Sequence, residues 1–261
     1  MNVNDLHHFL DEEGRLKSWP AKPKKQISAL GYLAGKLEWD HSYAEQELNS
    51  LLDSWHLFGD AALLRRELYM KRFIDRKKDG SAYWKIPRLL PTRWKTERLT
   101  IRNAEEGDLP ELRAVHTECA YVDELTGFRE EDPDPTLREF RGESLPPNGK
   151  KELQSFQIIL ETASGAVVGH LITYHGFPDR ETFWIGSFMI RPAFQRQKFG
   201  KEIIAALTTI VDELCTYSAM GIGVLIGNDA GKKFWESCGF ANHIKTEDHG
   251  TYVTQWILKS L

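Results

Sequence analysis

The reading turns on Phe188-Met189-Ile190-Arg191-Pro192-Ala193-Phe194-Gln195-Arg196-Gln197-Lys198-Phe199-Gly200-Lys201. An apolar, strand-like run over Phe183–Ile190 ends in a short polar turn. A helical period then covers Gly200–Tyr217, with Ile203, Leu207, Ile210 and Leu214 on one face. The first N–H groups of a helix have no partner inside it, and the helix dipole adds roughly half a positive charge there. A strand, a tight turn and a helix start therefore make a pocket of donors suited to phosphate or pyrophosphate. Arg196, Lys198 and Lys201 add side-chain cations, and Gly200 lets the backbone approach a ligand closely. Neither the GxxxxGK[ST] nor the GxGxxG pattern is present, which argues against nucleotide hydrolysis and dinucleotide binding.

Around this turn the chain alternates element types. Leu99–Arg102 reads as a strand, and a helix capped by Asp108 runs to Glu118 with Pro110 in its first turn. Ser155–Thr162 and Val167–Tyr174 form a hairpin across Ala163-Ser164-Gly165. Gly223–Ile226 is a short strand, Asp229–Ser237 a helix and Thr251–Leu258 a closing strand. Glu130 to Lys151 carries four prolines and reads as a loop around a short helix. The expected class is α+β with a mixed central sheet.

The N-terminal third differs. Lys24–Lys36, Ala44–Trp55 and Ala61–Phe73 each place apolar residues on one helical face, and Asp79-Gly80 turns the chain into a short aromatic strand over Ser81–Ile86. Three helices and a hairpin outline a winged helix. Lys85 to Thr92 contains two prolines and no amphipathic period, so the expected organisation is a helical domain over 1–88, a linker over 89–96 and a second domain over 97–261.

Composition narrows the classes. The 261 residues are 41% hydrophobic and 28% charged, ordinary for a globular protein. No run approaches a membrane span, and Met1 to Leu16 is acidic with no apolar core, unlike a signal peptide. Three scattered cysteines fit reduced thiols in a cytoplasm, and no Cys/His spacing suggests a metal. Residues 1–90 carry a net +2 and residues 91–261 a net −6, neither basic enough to demand nucleic acid.

Residues 97–261 resemble the GNAT superfamily of acyl-CoA-dependent N-acetyltransferases. Its Gln/Arg-x-x-Gly-x-Gly/Ala signature is matched by Gln195-Arg196-Gln197-Lys198-Phe199-Gly200, with Lys198 in place of the first glycine. Its Asn-x-x-Ala/Gly-x-x-Phe-Tyr feature, followed by Gly-Phe, is matched from Asn228 to Phe240, with Trp235 in place of the tyrosine. Thr96 to Arg102 looks like the family's first strand. The resemblance implies a mixed sheet flanked by helices and acetyl-CoA as cosubstrate, with no metal. It implies that Phe188, Met189 and Ile190 offer amides to the pantetheine arm and thioester. Gln195, Arg196, Gln197, Lys198, Phe199, Gly200 and Lys201 would hold the pyrophosphate. Asn228 would reach the pantetheine or thioester region, or simply cap a helix. Phe234 would pack on the cofactor, or on the core.

Catalytic groups are harder to place. Where some members carry a glutamate on the fourth strand, this chain has Trp184, and Glu181 just before the strand is the nearest carboxylate. Asp123, Glu124 and His116 near the first helices are further candidates for the base. With Trp235 at the tyrosine position, Tyr252 is the substitute acid. Proximity alone supplies much of the rate in such a reaction. The expected activity is acetyl transfer from the CoA thioester to a primary amine by direct attack. The acidic second domain favours a cationic acceptor such as a polyamine or aminoglycoside, and a protein amine is the other choice.

Residues 5–86 resemble a bacterial family of unknown function that is also fused to ArsR-type regulators. Gly14-Arg15-Leu16, Trp19-Pro20-Ala21-Lys22, Tyr43, Glu47, Asn49, Arg65-Arg66-Glu67-Leu68 and Tyr83-Trp84 carry the match. Arg65, Arg66, Lys71 and Arg72 are expected on the third helix, where a winged helix reads a groove. The alternative function is thus a DNA-binding regulator, or a catalytically silent domain, with acetyl-CoA as a bound effector.

Overall fold

The computed structural model describes residues 6–119, 125 and 134–261. The candidates Asp123 and Glu124, and the start of the proline-rich loop at Glu130, lie outside the described residues. The chain divides into two compact units. One holds the residues up to Leu89 with Ile210–Ser218 and Leu261; the other holds Leu90–Thr209 and Ala219–Ser260.

In the first unit, α1 (Pro23–Ala34), α2 (Glu45–Asp53) and α3 (Ala61–Met70) precede a two-stranded antiparallel hairpin of β1 (Ile74–Arg76) and β2 (Tyr83–Lys85). The faces expected from the 3.6-residue period are the buried ones. Leu30, Leu33, Leu48, Leu52, Leu64 and Leu68 are all fully buried and share one core. Each such side chain contributes roughly 1.5–3 kcal/mol of burial. Asp60 caps α3, its carboxylate accepting the Leu63 N–H at 2.8 Å. The helix ends at Met70 and Arg72 takes a left-handed φ of 61°. Lys71 and Arg72 therefore lie beyond the helix on which the sequence reading put them.

The second unit is built on an eight-stranded sheet in the order β3-β4-β5-β6-β7-β8-β10-β9. Its strands are β3 (Arg93–Lys95), β4 (Leu99–Asn103), β5 (Gln154–Glu161), β6 (Val167–His175), β7 (Thr182–Ile190), β8 (Ala219–Leu225), β9 (Asn242–Asp248) and β10 (Val253–Ser260). The helices are α4 (Leu109–Glu118), α5 (Pro135–Arg141), α6 (Phe199–Leu214), of which the residues up to Thr209 belong to this unit, and α7 (Asp229–Ser237). The expected linker over 89–96 is corrected here. Arg93–Lys95 pairs with β4, Trp94 is buried, and its indole N–H donates to Gln157 Oε1 at 2.9 Å.

Every neighbouring pair is antiparallel except β7 and β8, which run parallel and are joined across α6. A parallel pair needs such a crossover helix. That one parallel contact positions the site. It covers only Thr182–Ile185 against Ala219–Ile222, although β7 runs on to Ile190 and β8 to Leu225. A bulge leaves Gly186 without a register partner on β6, and beyond it β7 stays with β6 while β8 stays with β10. The sheet therefore splays open at the C-terminal ends of β7 and β8.

Candidate functional site

The splay exposes one edge of Gly186–Ile190. Arg191 N–H donates to Val168 O at 2.9 Å, so its amide faces β6. Successive amides along a strand alternate sides. Those of Met189 and Ser187 therefore face their register partners His170 and Ile172, while those of Phe188 and Ile190 face the opening. This corrects the expectation for Met189, whose amide is used inside the sheet. Close approach of β6 to β7 is enforced at Gly169, where a Cβ would collide with Met189 O.

Below Ile190 the turn folds on itself. The Gln195 side-chain amide donates to Ile190 O at 2.8 Å and that of Gln197 to Ala193 O at 2.9 Å. Arg196 and Lys198 take left-handed φ values of 62° and 67°. Lys198 thus holds a conformation that favours glycine, the residue the signature has there. From Arg196 to Lys201 no backbone N–H has an acceptor among the described residues. The side chains of Arg196, Lys198 and Lys201 are exposed, and none has an acidic partner among the described residues. Six donors and three cations without acidic partners among the described residues give this helix start the chemistry that suits an anion.

The turn is held from β4. Arg98 donates to Gln197 O at 3.1 Å, lies 4.2 Å over the Phe199 ring, and pairs with Glu202 at 2.6 Å. Glu202 also accepts from Thr96 Oγ1 and the Arg98 N–H, and these donors hold its carboxyl below the usual range against the opposing effect of burial. Arg191, just past β7, is held by Glu118 and Glu111 of α4.

Phe234 of α7 closes the other side. A Cβ on Gly200 would meet its ring at 3.0 Å, and its centroid is 6.1 Å from that of Phe188. The ring therefore packs on the residues of the opening, and Gly200 is small because the ring lies there. Trp235 packs against Phe188, Phe234 and Phe240 at 5.9, 5.0 and 5.1 Å. Asn228 caps α7, its Oδ1 accepting the Gly231 N–H at 2.8 Å, which leaves only its amide N–H groups for a ligand.

The catalytic expectations fare differently. Glu181 is exposed, five residues before the bulge, roughly 17 Å along the strand at about 3.3 Å per residue. The structure does not bring it to the opening. Trp184 is buried against Phe177 and Trp256 and has no acid–base capacity. Tyr252 lies at the start of β10, on the end of the sheet where β8 finishes, and stacks on His249 at 4.5 Å. His116 on α4 lies close enough to oppose charging of His170, whose burial is the larger cause of a pKa near 3. Sequence reasoning missed His170 and Ser187: Nε2 of His170 and Oγ of Ser187 lie 2.8 Å apart across two strands.

In the first unit, Arg65 is bonded to Asn49 and paired with Glu45 at 2.9 Å. Arg72 lies 3.7 Å from Asp75. Among the described residues no helix is long and apolar enough to cross a membrane, and no group of three or more His, Cys, Asp or Glu has metal-site geometry.

Comparison with known proteins follows these two units. Residues 111–240 match the acetyltransferase (GNAT) family, and residues 15–85 match DUF2087, described as an uncharacterized protein conserved in bacteria. No curated protein matches the chain. Among solved structures, a GNAT-family protein from Chromobacterium violaceum superposes with a TM-score of 0.55 at 13% identity, covering 68% of this chain and 90% of its own. An acetyltransferase from Thermus thermophilus gives 0.51 at 17%, covering 64% and 100%. At such identities the likeness is one of fold.

Proposed function

From the premise that this chain belongs to the GNAT acetyltransferases through residues 111–240 and carries a DUF2087 domain at 15–85, we propose that it moves an acetyl group from acetyl-CoA to a small cationic primary amine by direct attack. The observation that carries this reading is the splay itself: β7–β8 pairing stops at Ile185, and a donor-rich helix start lies at the end of the opened strand. Phe188 and Ile190 offer amides to an extended amide-bearing arm. The amides from Arg196 to Lys201, with Arg196, Lys198 and Lys201, bind its diphosphate. Phe234 packs against the arm, and the Asn228 amide N–H groups are free to donate to it. The spacing suits a ligand that is a strand-like amide chain at one end and a dianion at the other.

The amide of Phe188, aimed at the thioester oxygen, stabilises the negative charge that develops as the amine attacks. Holding amine and thioester together supplies much of the remaining rate. The net −6 of residues 91–261 supports a cationic acceptor. Arg65 and Arg72, already engaged with acidic side chains, weaken the case for a DNA-reading helix.

Calorimetric titration with acetyl-CoA tests the reading, followed by thiol release over a panel of spermidine, kanamycin and a lysine-containing peptide. Micromolar binding and amine-dependent release are expected. Gly200→Val drives a branched side chain into the Phe234 ring and should weaken acetyl-CoA binding at least tenfold, about 1.4 kcal/mol. Wild-type affinity in that variant, or release that no amine accelerates, would overturn the assignment.

A further inference from the structure

The opened segment of β7 reads Gly186-Ser187-Phe188-Met189-Ile190, and Ser187 is its one side chain able to move a proton. Ser187 is half-buried on the sheet face that also carries Ile172 and His170. Its Oγ lies 2.8 Å from Nε2 of His170. His170 is 2% exposed, and its Nδ1 has no hydrogen-bond partner among the described residues. Unpartnered buried polar atoms are rare and ask for an explanation.

The explanation lies in where the imidazole keeps its proton. Burial, with His116 nearby, keeps the ring neutral across the physiological range, so it carries one N–H. On Nδ1 that hydrogen would be a buried donor with no acceptor, the rarer and costlier defect. On Nε2 it is donated to Ser187 Oγ. Ser187 then receives a hydrogen bond from beneath, and its own O–H has no acceptor among the described residues. The pair presents a hydroxyl proton next to the strand edge of Phe188.

We propose that Ser187 is a catalytic proton shuttle of the acetyl transfer and that His170 is the residue that positions it. The proposal rests on the reading that the thioester lies along Phe188 and Ile190. The neutral amine nitrogen bonds to the carbonyl carbon and so becomes positively charged; as the carbon–sulfur bond breaks, Ser187 Oγ takes one proton from that nitrogen and passes its own to the departing sulfur. The products are the amide and the free thiol, and Ser187 and His170 end as they began.

Ser187→Ala is the first test, with the panel amine that the wild type acetylates fastest. A fall in kcat of about a hundredfold is expected, the usual contribution of one proton-transfer group. The calorimetric Kd for acetyl-CoA should stay within about twofold, because the loss belongs to the reacting state alone. Ser187→Thr keeps the hydroxyl and should recover most of the rate. Nitrogen-15 NMR of the histidine rings, read without any substrate, should show His170 as the Nε2–H tautomer. A Ser187→Ala kcat near wild type, a deficit that lies in Kd, a Thr variant folded but as slow as the Ala variant, or an Nδ1–H ring would each overturn the proposal. Absence of any wild-type thiol release would count against the small-amine acceptor instead, and the NMR arm would still decide the tautomer.

Discussion

Single residues here hold conformations and charges that their neighbours impose. Lys198 keeps a glycine-like φ of 67° because Arg98 holds the Gln197 carbonyl before it and the helix begins after it. Non-glycine residues in that region cost of order 1 kcal/mol or more unless the surroundings fix them. Glu139 on α5 is a second case. Burial raises its carboxyl from 4.5 to about 7, and the nearby Arg138 only partly opposes this. A raised acid binds its proton more tightly in the folded chain. Its contribution to stability is therefore present below the unfolded value near 4.5 and is lost as pH climbs towards 7. Glu139→Gln should leave Tm unchanged at about pH 4.5 and raise it at about pH 8. Thermal melts at the two pH values check this, and a variant less stable than wild type at the higher pH would contradict it.

At the scale of elements, the tie between β4 and the start of α6 is the feature with the clearest consequence. Glu202 puts a negative charge in the first turn of the helix that is proposed to hold an anion. Arg98 cancels that charge and holds the turn at the same time. Arg98→Ala should raise the KM for acetyl-CoA about tenfold with little change in kcat, since the lost contact bears on binding in ground and transition states alike. Arg98→Ala with Glu202→Gln should recover the electrostatic part of that loss. Steady-state kinetics on the two variants separates the contributions, and an unchanged KM in the single variant would show that the turn holds its shape unaided.

Element by element, legibility followed pattern strength. The helical faces of α1, α2, α3 and α6 were plain, since Leu and Ile recur at three and four residues and burial follows. The helix Asp229–Ser237 was placed to the residue. Strand β9 was not seen: Asn242–Asp248 is polar and almost wholly exposed, and it is a strand only because β10 pairs with it. Strand β3 hid among prolines, where Trp94 gave no period on its own. In the candidate site, the donor-rich turn at the start of α6 was readable because consecutive residues make it. The Ser187–His170 pair was not, because it depends on cross-strand register and a bulge, neither of which local spacing encodes.

For the whole molecule, the chain joins a DUF2087 domain, within residues 1–90 of net +2, to an acetyltransferase domain, within residues 91–261 of net −6, so its two parts carry opposite charge. Arg65, expected on the helix where a winged helix reads a groove, is paired with Glu45 within its own unit. The break between β7 and β8 has a further consequence. It is a raw edge inside a sheet, and such edges recruit stray polypeptide or admit proteases. On the proposed reading the acetyl donor covers that edge when bound, and by mass action it would stabilise the folded chain by an amount that grows with the logarithm of its concentration. Limited proteolysis should therefore slow severalfold when CoA is added at saturating concentration, so a cell starved of acyl carriers would clear this protein faster than one that is well fed.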